Sequence, residues 1–325
     1  MTLRQRPEWA PHEAVWIGFP SHEALWETDL ASARAEVLAF ARAIHANGCG
    51  ETVRLVAADE NSASAARHLA GVGIEVVHAR FGDIWLRDTG PVVLGQDRAR
   101  ETRTFGFNGW GGKYQLEGDD GIGAELEGST GFATRACDWI LEGGAIEVDG
   151  TGLAVTTEQC VLNPNRNPGM TREDVEAALY RDLGIDRVLW LGEGLANDHT
   201  DGHVDNLARF VAPGRIAIPV AAADDPNAAV YADAAARARA FGLQVVSVPS
   251  PGHVEREGEI APASYMNFYI GNAAVVVPTY GAPNDDAAVA AIGALFPDRR
   301  PIGLRADHVL TGGGSFHCIS QQVPL

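Results

Sequence analysis

The feature that most constrains the fold is a regular succession of predicted strands and helices. Helical patterns centre near residues 65, 123, 178, 233 and 291, so the spacing is about 55 residues. Each interval contains two or three predicted strands, often paired as a hairpin before the helix. This spacing predicts an α/β protein of five ββαβ-like units arranged as a closed ring of blades. A doubly wound sheet is the alternative that periodicity alone leaves open.

Local signals place individual elements within these units. Thr171-Arg172-Glu173-Asp174 predicts a capped helix that runs to about Leu183. Asp149-Gly150 predicts a hairpin turn between strands over 139–148 and 151–156. Further expectations are a strand over 264–270 and a loop at a strand end over 85–91.

Composition bounds the domain organisation and the classes of partner. The chain has 325 residues with no Pro/Ser-rich linker and no shift in composition, which predicts a single domain over residues 1–325. No apolar run of about 18 residues predicts a membrane span, and the first residues lack the apolar core of a signal peptide. We therefore expect a cytoplasmic protein. Whether it forms a homo-oligomer is open.

The charge balance argues against anionic partners. Forty-three acidic residues outnumber 25 basic ones, and the formal net charge is −18. Nucleic acid and anionic membrane surfaces are therefore poor partners, whereas a cationic ligand is favoured. The four cysteines are widely spaced, with no zinc-type spacing, which is typical of reduced thiols.

The stretch from Gly312 to Gln322 is the strongest candidate for chemistry. Three consecutive glycines, which allow close approach of the backbone, are followed by Ser315, Phe316, His317 and Cys318. An isolated cysteine is more often an inert buried residue. Polar clusters near Asp88, Glu142 and His203 supply candidate partners, so we favour Cys318 as a nucleophile that faces a carboxylate-lined pocket for a cation.

Histidine and carboxylates could complete such a site. His203 could promote ionisation of the thiol and protonate a leaving amine, although His199 and His317 compete for this role. Asp88 and Asp205 could hold a planar guanidinium through paired hydrogen bonds, and Glu142 could bind a further nitrogen.

A metal site is the alternative from another class. The run from Asp198 to Asp205 alternates His and carboxylates, which is typical of Mn²⁺ or Zn²⁺ ligands. A metal-dependent guanidine hydrolase would use it, but no second such cluster exists, and the Gly312–Cys318 stretch would have no role. We expect no metal and no cofactor. The Gly109–Lys113 loop lacks the spacing of a phosphate loop and could be a lid or a plain connection.

Seven segments together resemble the agmatine deiminase family, which is grouped with the porphyromonas-type peptidylarginine deiminases. They cover nearly the whole chain in order: 7–16, 85–91, 107–114, 142–144, 200–206, 264–269 and 312–322.

The resemblance implies the pentein fold, a five-bladed α/β propeller, and metal-free hydrolysis of agmatine to N-carbamoylputrescine and ammonia in putrescine synthesis. It implies that Cys318 attacks the guanidinium carbon and that Asp88 and Asp205 bind its nitrogens. Glu142 and His203 would complete the polar ring, with His203 as acid and base, and Trp85 would form a wall. Free or peptidyl arginine remains the alternative substrate.

Two departures from the family pattern stand out. Ser315-Phe316 replaces the usual Asn-Ile beside the nucleophile. The loop over 107–114 lacks a longer insertion, which bears on recognition of the substrate's far end and not on the chemistry.

Overall fold

The computed structural model describes residues 3–256 and 258–325 and has a mixed α/β fold, as predicted. The strands are β1 His12–Gly18, β2 Thr52–Ala57, β3 Glu75–His78, β4 Val92–Gln96, β5 Ala99–Gly106, β6 Ala133–Ile140, β7 Ile146–Val148, β8 Leu153–Thr157, β9 Arg187–Leu191, β10 Arg209–Ala212, β11 Arg215–Val220, β12 Gln244–Pro249, β13 Glu255–Arg256, β14 Glu259–Ile260, β15 Tyr269–Ile270, β16 Ala274–Thr279, β17 Arg300–Arg305 and β18 Ser320–Pro324. The helices are α1 Glu23–Trp26, α2 Leu30–His45, α3 Glu60–Ala70, α4 Leu86–Thr89, α5 Gly109–Gly112, α6 Ile122–Gly128, α7 Glu158–Val161, α8 Arg172–Leu183, α9 Ala228–Phe241 and α10 Asp285–Gly293.

Five sheets in the described parts of the chain share one topology, and the small β13–β14 hairpin forms a sixth, separate sheet. In the sheets β4–β6, β7–β9, β10–β12 and β15–β17, two antiparallel strands are followed by a helix and a third, parallel strand. In the remaining sheet, β18 pairs antiparallel with β1, and β1 pairs parallel with β2 through α2. The two chain ends thus complete one unit. The doubly wound alternative is wrong, because the strands lie in separate small sheets.

The structure corrects the assignment of the first unit. Its crossover helix is α2, whereas α3 leads to an additional parallel strand, β3, at the sheet edge. The predicted helix near residue 65 exists, but it does not occupy the position that α6, α8, α9 and α10 occupy in the other units. The repeat is therefore one of topology and not of even spacing along the chain.

Capping and packing explain most of the elements. Helix α8 begins with the predicted capping box between Thr171 and Asp174 and ends at Gly184, which has φ +69°. Strand β1 is almost wholly buried because β18 and β2 flank it and α2 covers it. Phe316 stacks on Phe40 of α2 with ring centroids 4.8 Å apart, so this departure from the family pattern fills the core.

Three predicted elements are wrong in detail, and all three carry residues that lie near Cys318 or its neighbours in the structure. The expected strand over 139–148 is broken by a 3-10 turn at Gly143–Ala145. The expected strand over 264–270 begins as a 3-10 turn, Tyr265–Asn267. The expected loop over 85–91 contains the one-turn helix α4, Leu86–Thr89. In each case tertiary hydrogen bonds override the local pattern. Within the described ranges, no helix is long and apolar enough to cross a membrane.

Candidate active site

A cavity of about 360 Å³ opens beside Cys318. Trp85, Asp88, Trp110 and the three glycines from Gly312 to Gly314 are among the residues that line it. Tyr114, His199, Glu27, Asp29 and Thr311 are among the residues nearer its rim.

The glycine triplet is required by close packing against Trp85. A Cβ on Gly314 would lie 2.7 Å from the Trp85 ring and 3.1 Å from the Cys318 Sγ, and a Cβ on Gly312 would lie 2.5 Å from the same ring. Gly313 has φ +99°. The backbone therefore passes directly between the indole and the thiol. Trp85 is held in turn by its Nε1–H, which donates to Asp83 at 2.6 Å.

Asn267 contacts both the Cys318 thiol and the backbone that carries it. Its Oδ1 accepts hydrogen bonds from the backbone N–H groups of His317 (3.1 Å) and Cys318 (3.2 Å). Its Nδ2 lies 3.0 Å from the Cys318 Sγ and 3.3 Å from the Asp205 Oδ2. One amide thus fixes the main chain, the sulfur and a carboxylate. The 3-10 turn at Tyr265–Asn267 presents it.

Asp205 lies next to the sulfur and is anchored on one oxygen only. Its Oδ2 is 3.4 Å from the Cys318 Sγ and accepts a hydrogen bond from the His317 Nδ1 at 2.7 Å. Its Oδ1 is buried and has no hydrogen-bond partner among the described residues. Burial raises the pKa of Asp205, but the hydrogen bond and charge of His317 outweigh it and lower that pKa overall. Asp205 therefore offers an ionised, unpaired acceptor atom.

A buried charge network supports His317. The His317 Nε2 lies 2.8 Å from the Glu8 Oε2, so the ring is held between two carboxylates, one at each nitrogen. Glu8 also binds Arg209 at 3.0 Å and Arg87 at 3.3 Å. The Arg209 guanidinium and the His317 charge hold the pKa of Glu8 well below its usual range, although burial alone would raise it.

Asp88 forms the second carboxylate of the cavity. Its Oδ1 accepts a hydrogen bond from the Gly144 backbone N–H at 2.9 Å, and its Oδ2 accepts one from the Trp110 Nε1 at 2.9 Å. Trp110 adopts φ +52° and lines the cavity, so the Gly109–Lys113 loop contributes to the cavity wall. Burial, together with the charges of Asp205 and Glu142, raises the pKa of Asp88.

Three polar groups converge around one point, which Gly144 defines. A Cβ on Gly144 would lie 2.6 Å from the His203 Nδ1, 2.9 Å from the Asp88 Oδ1 and 3.1 Å from the Asp205 Oδ2. Any side chain at this position would displace them. The glycine thus permits the imidazole and the two carboxylates to approach one another.

His203 is fully buried, and neither ring nitrogen has a hydrogen-bond partner among the described residues. Its Nδ1 is 3.7 Å from the Asp88 Oδ1. Burial would lower the pKa of His203, but the charge of Asp88, the neighbouring Cys160 and the charge of Glu142 raise it well above its usual value. The raised pKa favours the protonated ring, and its nitrogens are available to donate a proton, as a general acid requires.

Glu142 is fixed by Arg166, whose Nε donates to its Oε1 at 2.9 Å. Both side chains are about 1% exposed. Arg166 also pairs with Asp201, which in turn binds Lys113 at 2.5 Å. Glu142 therefore lies near His203 as a charged group held by an arginine that sequence reasoning missed.

The resting thiol is held in its protonated form. Burial, followed by the negative charges of Asp205 and Asp88, raises the pKa of Cys318 well above its usual value. A cation that bound between these two carboxylates would cancel much of their effect. Ionisation of the nucleophile is thus coupled to the arrival of positive charge.

The side chains of the run from Asp198 to Asp205 point to separate partners and do not form a metal site. Asp198 binds Thr200, and His199 faces the Tyr114 hydroxyl at 3.3 Å. Asp201 pairs with Lys113 and Arg166. Over residues 3–256 and 258–325, the grouping with metal-ligand spacing is instead Glu142, Cys160 and His203.

The structure brings together every predicted site residue, but several of their partners were not predicted. Cys318, Asp88 and Trp85 line the cavity, Asp205 contacts the sulfur, and His203 and Glu142 lie behind Asp88. His199 lies at the rim, and His317 binds Asp205. Sequence reasoning missed the roles of Glu8, Trp110, Asn267 and Arg166. All but Arg166 lie in segments quoted for the family resemblance, which was the available signal.

Comparisons with known proteins identify the family of the chain. The sequence profile of the Porphyromonas-type peptidyl-arginine deiminase family matches residues 4–324. An agmatine deiminase of Ectopseudomonas mendocina (strain ymp) is 37% identical, and one of Stutzerimonas stutzeri (strain A1501) is 35% identical; each match covers 98% of this chain and 94% of the relative. A solved structure described as agmatine deiminase of Enterococcus faecalis catalyzing its reaction has a TM-score of 0.91 at 30% identity, covering 99% of this chain and 96% of that one.

The chain therefore belongs to the Porphyromonas-type peptidyl-arginine deiminase family. Its predicted relationship to agmatine deiminases is confirmed by sequence and by fold.

Proposed function

We propose that this protein is an agmatine deiminase, which hydrolyses agmatine to N-carbamoylputrescine and ammonia. The observation that carries the proposal is the convergence of the Asp88 and Asp205 carboxylates and the His203 imidazole at Gly144, with the Cys318 thiol in contact with Asp205. Relatives that carry this name match nearly the full chain.

The first half of the reaction forms a bond to sulfur. Asp88 and Asp205 accept N–H bonds from the planar guanidinium and hold its central carbon near the Cys318 sulfur. Because the bound cation offsets the charges of the two carboxylates, Cys318 releases its proton to solvent and the thiolate attacks the carbon. His203 gives a proton to one nitrogen, the C–N bond breaks, and ammonia leaves. The product of this half is an S-alkylthiouronium on Cys318.

The second half restores the thiol. Water attacks the same carbon, and His203 accepts its proton. The C–S bond then breaks, the urea group of N-carbamoylputrescine forms, and Cys318 takes up a proton. Trp85 and Trp110 cover the reacting group with apolar surface, and Glu142 maintains the charge of His203. No metal and no cofactor enters any step.

The cavity lining favours agmatine over arginine as the substrate. No Lys or Arg is among the residues that line the cavity in the described parts of the chain, whereas Glu27 and Asp29 are. Lys113, which lies near the rim, already binds Asp201 and the His199 carbonyl. A substrate carboxylate would therefore lack a charged partner, whereas an ammonium group would meet negative charge.

We also propose an arrangement for the five sheets. The five topologically equivalent sheets would form the five blades of a pentein propeller around the site, in one catalytic domain over residues 1–325. The β18–β1 pairing, which joins the two chain ends in one sheet, supports ring closure. Residues of the site come from segments between the sheets and within 310–318, as a site near the axis of a propeller would require.

The test compares three substrates, with the native protein and with the Cys318→Ala variant. Purified protein is incubated separately with agmatine, free arginine and a peptide with an internal arginine, while ammonia release and the ~1 Da mass gain of guanidine-to-urea conversion are followed. We expect turnover of agmatine and none with Cys318→Ala. Turnover of arginine or of the peptide in preference to agmatine would retain the chemistry and overturn the substrate.

A further inference from the structure

A second buried thiol lies behind the proposed acid/base residue. Cys160 is on α7, whose first turn is capped by the Thr157 hydroxyl, and the thiol has no exposure. The ligating atoms of Cys160, Glu142 and His203 all lie within 4.8 Å of one another. The proposed reaction gives Cys160 no role.

The imidazole of this group is available to a ligand. His203 has no exposure, and both of its ring nitrogens lack partners in the described parts of the chain. A buried unpaired polar atom carries a desolvation cost unless something binds it. A metal ion held by the three groups would satisfy this need.

The donor set is the one that Zn²⁺ prefers. Thiolate, imidazole and carboxylate bind Zn²⁺ at about 2.0–2.3 Å in a tetrahedral arrangement. Ligand atoms around such an ion are roughly 3.3–3.8 Å apart, so atoms that lie within 4.8 Å of one another need shifts of only about 1 Å. Three protein ligands would leave a fourth position for water.

The surrounding charge permits a dication. Arg166 donates a hydrogen bond to the Glu142 Oε1, which leaves the Oε2 to coordinate a metal ion. Asp201 offsets the Arg166 charge. Asp88 adds a further carboxylate 3.7 Å from the His203 Nδ1. With Cys160 as thiolate, the negative groups around the ion outnumber the positive ones.

We propose that Glu142, Cys160 and His203 form a site for Zn²⁺ or a similar thiophilic divalent cation, and that occupancy inhibits the enzyme. Zn²⁺ would displace two protons to solvent, one from the Cys160 thiol and one from the His203 ring, and would occupy the ring nitrogen that loses its proton, so His203 could no longer carry a proton to or from the substrate. The inhibitory effect rests on the proposed function; binding itself does not. The metal would be an inhibitor and not a cofactor.

Direct metal titration tests the site without any turnover. Zn²⁺ is titrated into the metal-free protein in competition with a chromophoric chelator, and Co²⁺ is used as an absorbing substitute that reports a thiolate ligand. We expect one ion per chain and a thiolate-to-cobalt band. Cys160→Ser should weaken binding by about 100-fold or more and remove the band. Cys318→Ala should retain both, and Cys49→Ser serves as the exposed-thiol control.

Activity measurements then test inhibition. Zn²⁺ should inhibit the native protein at the concentration at which it binds, EDTA should restore activity, and Cys160→Ser should resist inhibition. Failure of the native protein to bind Zn²⁺, or loss of binding in Cys318→Ala with retention in Cys160→Ser, would overturn the proposal. If Cys160→Ser does not fold, Glu142→Gln replaces it in the Zn²⁺ titration, where loss of one ligand charge at constant shape should weaken binding and unchanged binding would overturn the proposal.

Discussion

The two sides of the site differ in how their polar atoms are satisfied. On the Asp205 side, Asn267 and His317 fix the carboxylate and the sulfur, and Glu8 connects them to Arg87 and Arg209. On the His203 side, neither imidazole nitrogen has a hydrogen-bond partner in the described parts of the chain, and the Asp88 Oδ1 is 3.7 Å from the Nδ1. The Asp205 side is therefore fixed by hydrogen bonds and ion pairs, whereas the His203 ring has polar atoms left to bind a ligand.

This difference matches two different tasks. A group that holds a cation must stay ionised and oriented, which requires partners that are themselves fixed. A group that moves protons must exchange its partners during the reaction, so a permanent hydrogen bond would be a hindrance. The buried charges on the Asp205 side therefore preorganise binding, while the His203 side remains open for chemistry.

The largest effect is expected from removing the nucleophile. Cys318→Ala should reduce kcat at least about 10³-fold, because no other group can form the covalent intermediate. Binding of agmatine should persist because both carboxylates remain. Steady-state ammonia release measures the effect, with Cys49→Ser as the control at an exposed thiol. More than about 1% residual activity in a freshly purified variant would contradict covalent catalysis at Cys318.

Next in size is a pair of opposite effects from Asp88→Asn. Loss of the carboxylate should reduce kcat/KM by about 100-fold or more, because the guanidinium loses one of its charged partners. The same change removes a negative charge that raises the pKa of Cys318, so that pKa should fall. Alkylation of Cys318 by iodoacetamide, at a fixed pH below the pKa, should then become faster by about tenfold per pKa unit.

Peptide-level mass spectrometry separates Cys318 from the other three thiols in that experiment. Asp201→Asn is a matched control, because this carboxylate lies outside the cavity lining and pairs with Lys113 and Arg166. Unchanged or slower alkylation of Cys318 in Asp88→Asn would show that Asp88 does not control the ionisation of the thiol.

A smaller loss is expected when the fixed side is disconnected. His317→Gln removes the ring that bridges Glu8 and Asp205, so we expect a decrease in stability of about 3 kcal/mol and a fall in kcat/KM of about 10- to 100-fold. Chemical denaturation and steady-state kinetics measure both. His199→Gln, at the cavity rim, should change stability by less than about 0.5 kcal/mol.

A double-mutant cycle with Glu8→Gln distinguishes a network from independent contacts. The coupling free energy between Glu8 and His317 should exceed about 1 kcal/mol. Additive effects would show that the two residues act separately.

The smallest effect is expected from Trp110→Phe. The ring remains, but Asp88 loses the indole N–H bond, so kcat/KM should fall about tenfold with little change in stability. Trp139→Phe is a matched control, because its indole N–H donates to Asp182 outside the cavity lining. Equal losses in both variants would argue against a specific role for the Trp110 hydrogen bond.

The sequence predicted much of this arrangement, for reasons that can be traced to particular residues. Cys318 and its glycines, together with Asp88 and Asp205, have residue types that their chemistry requires, and the local patterns of α8 and α9 predict those helices. Glu8 was not predicted, because its role depends on contact with Ile270 and His317, which are far away in sequence. The first-unit helix was assigned wrongly because the partner of β1 is the last strand of the chain, which local periodicity cannot reveal.

The central claim is that Cys318 forms a covalent bond to the substrate carbon. Protein mixed with agmatine and quenched with acid in the first turnover should yield a Cys318-containing peptide whose mass has increased by that of agmatine less ammonia. The adduct should disappear as product forms and should be absent from Cys318→Ala. Full-rate turnover with no adduct at Cys318 at any quench time, or an adduct on Cys160 instead, would contradict the account.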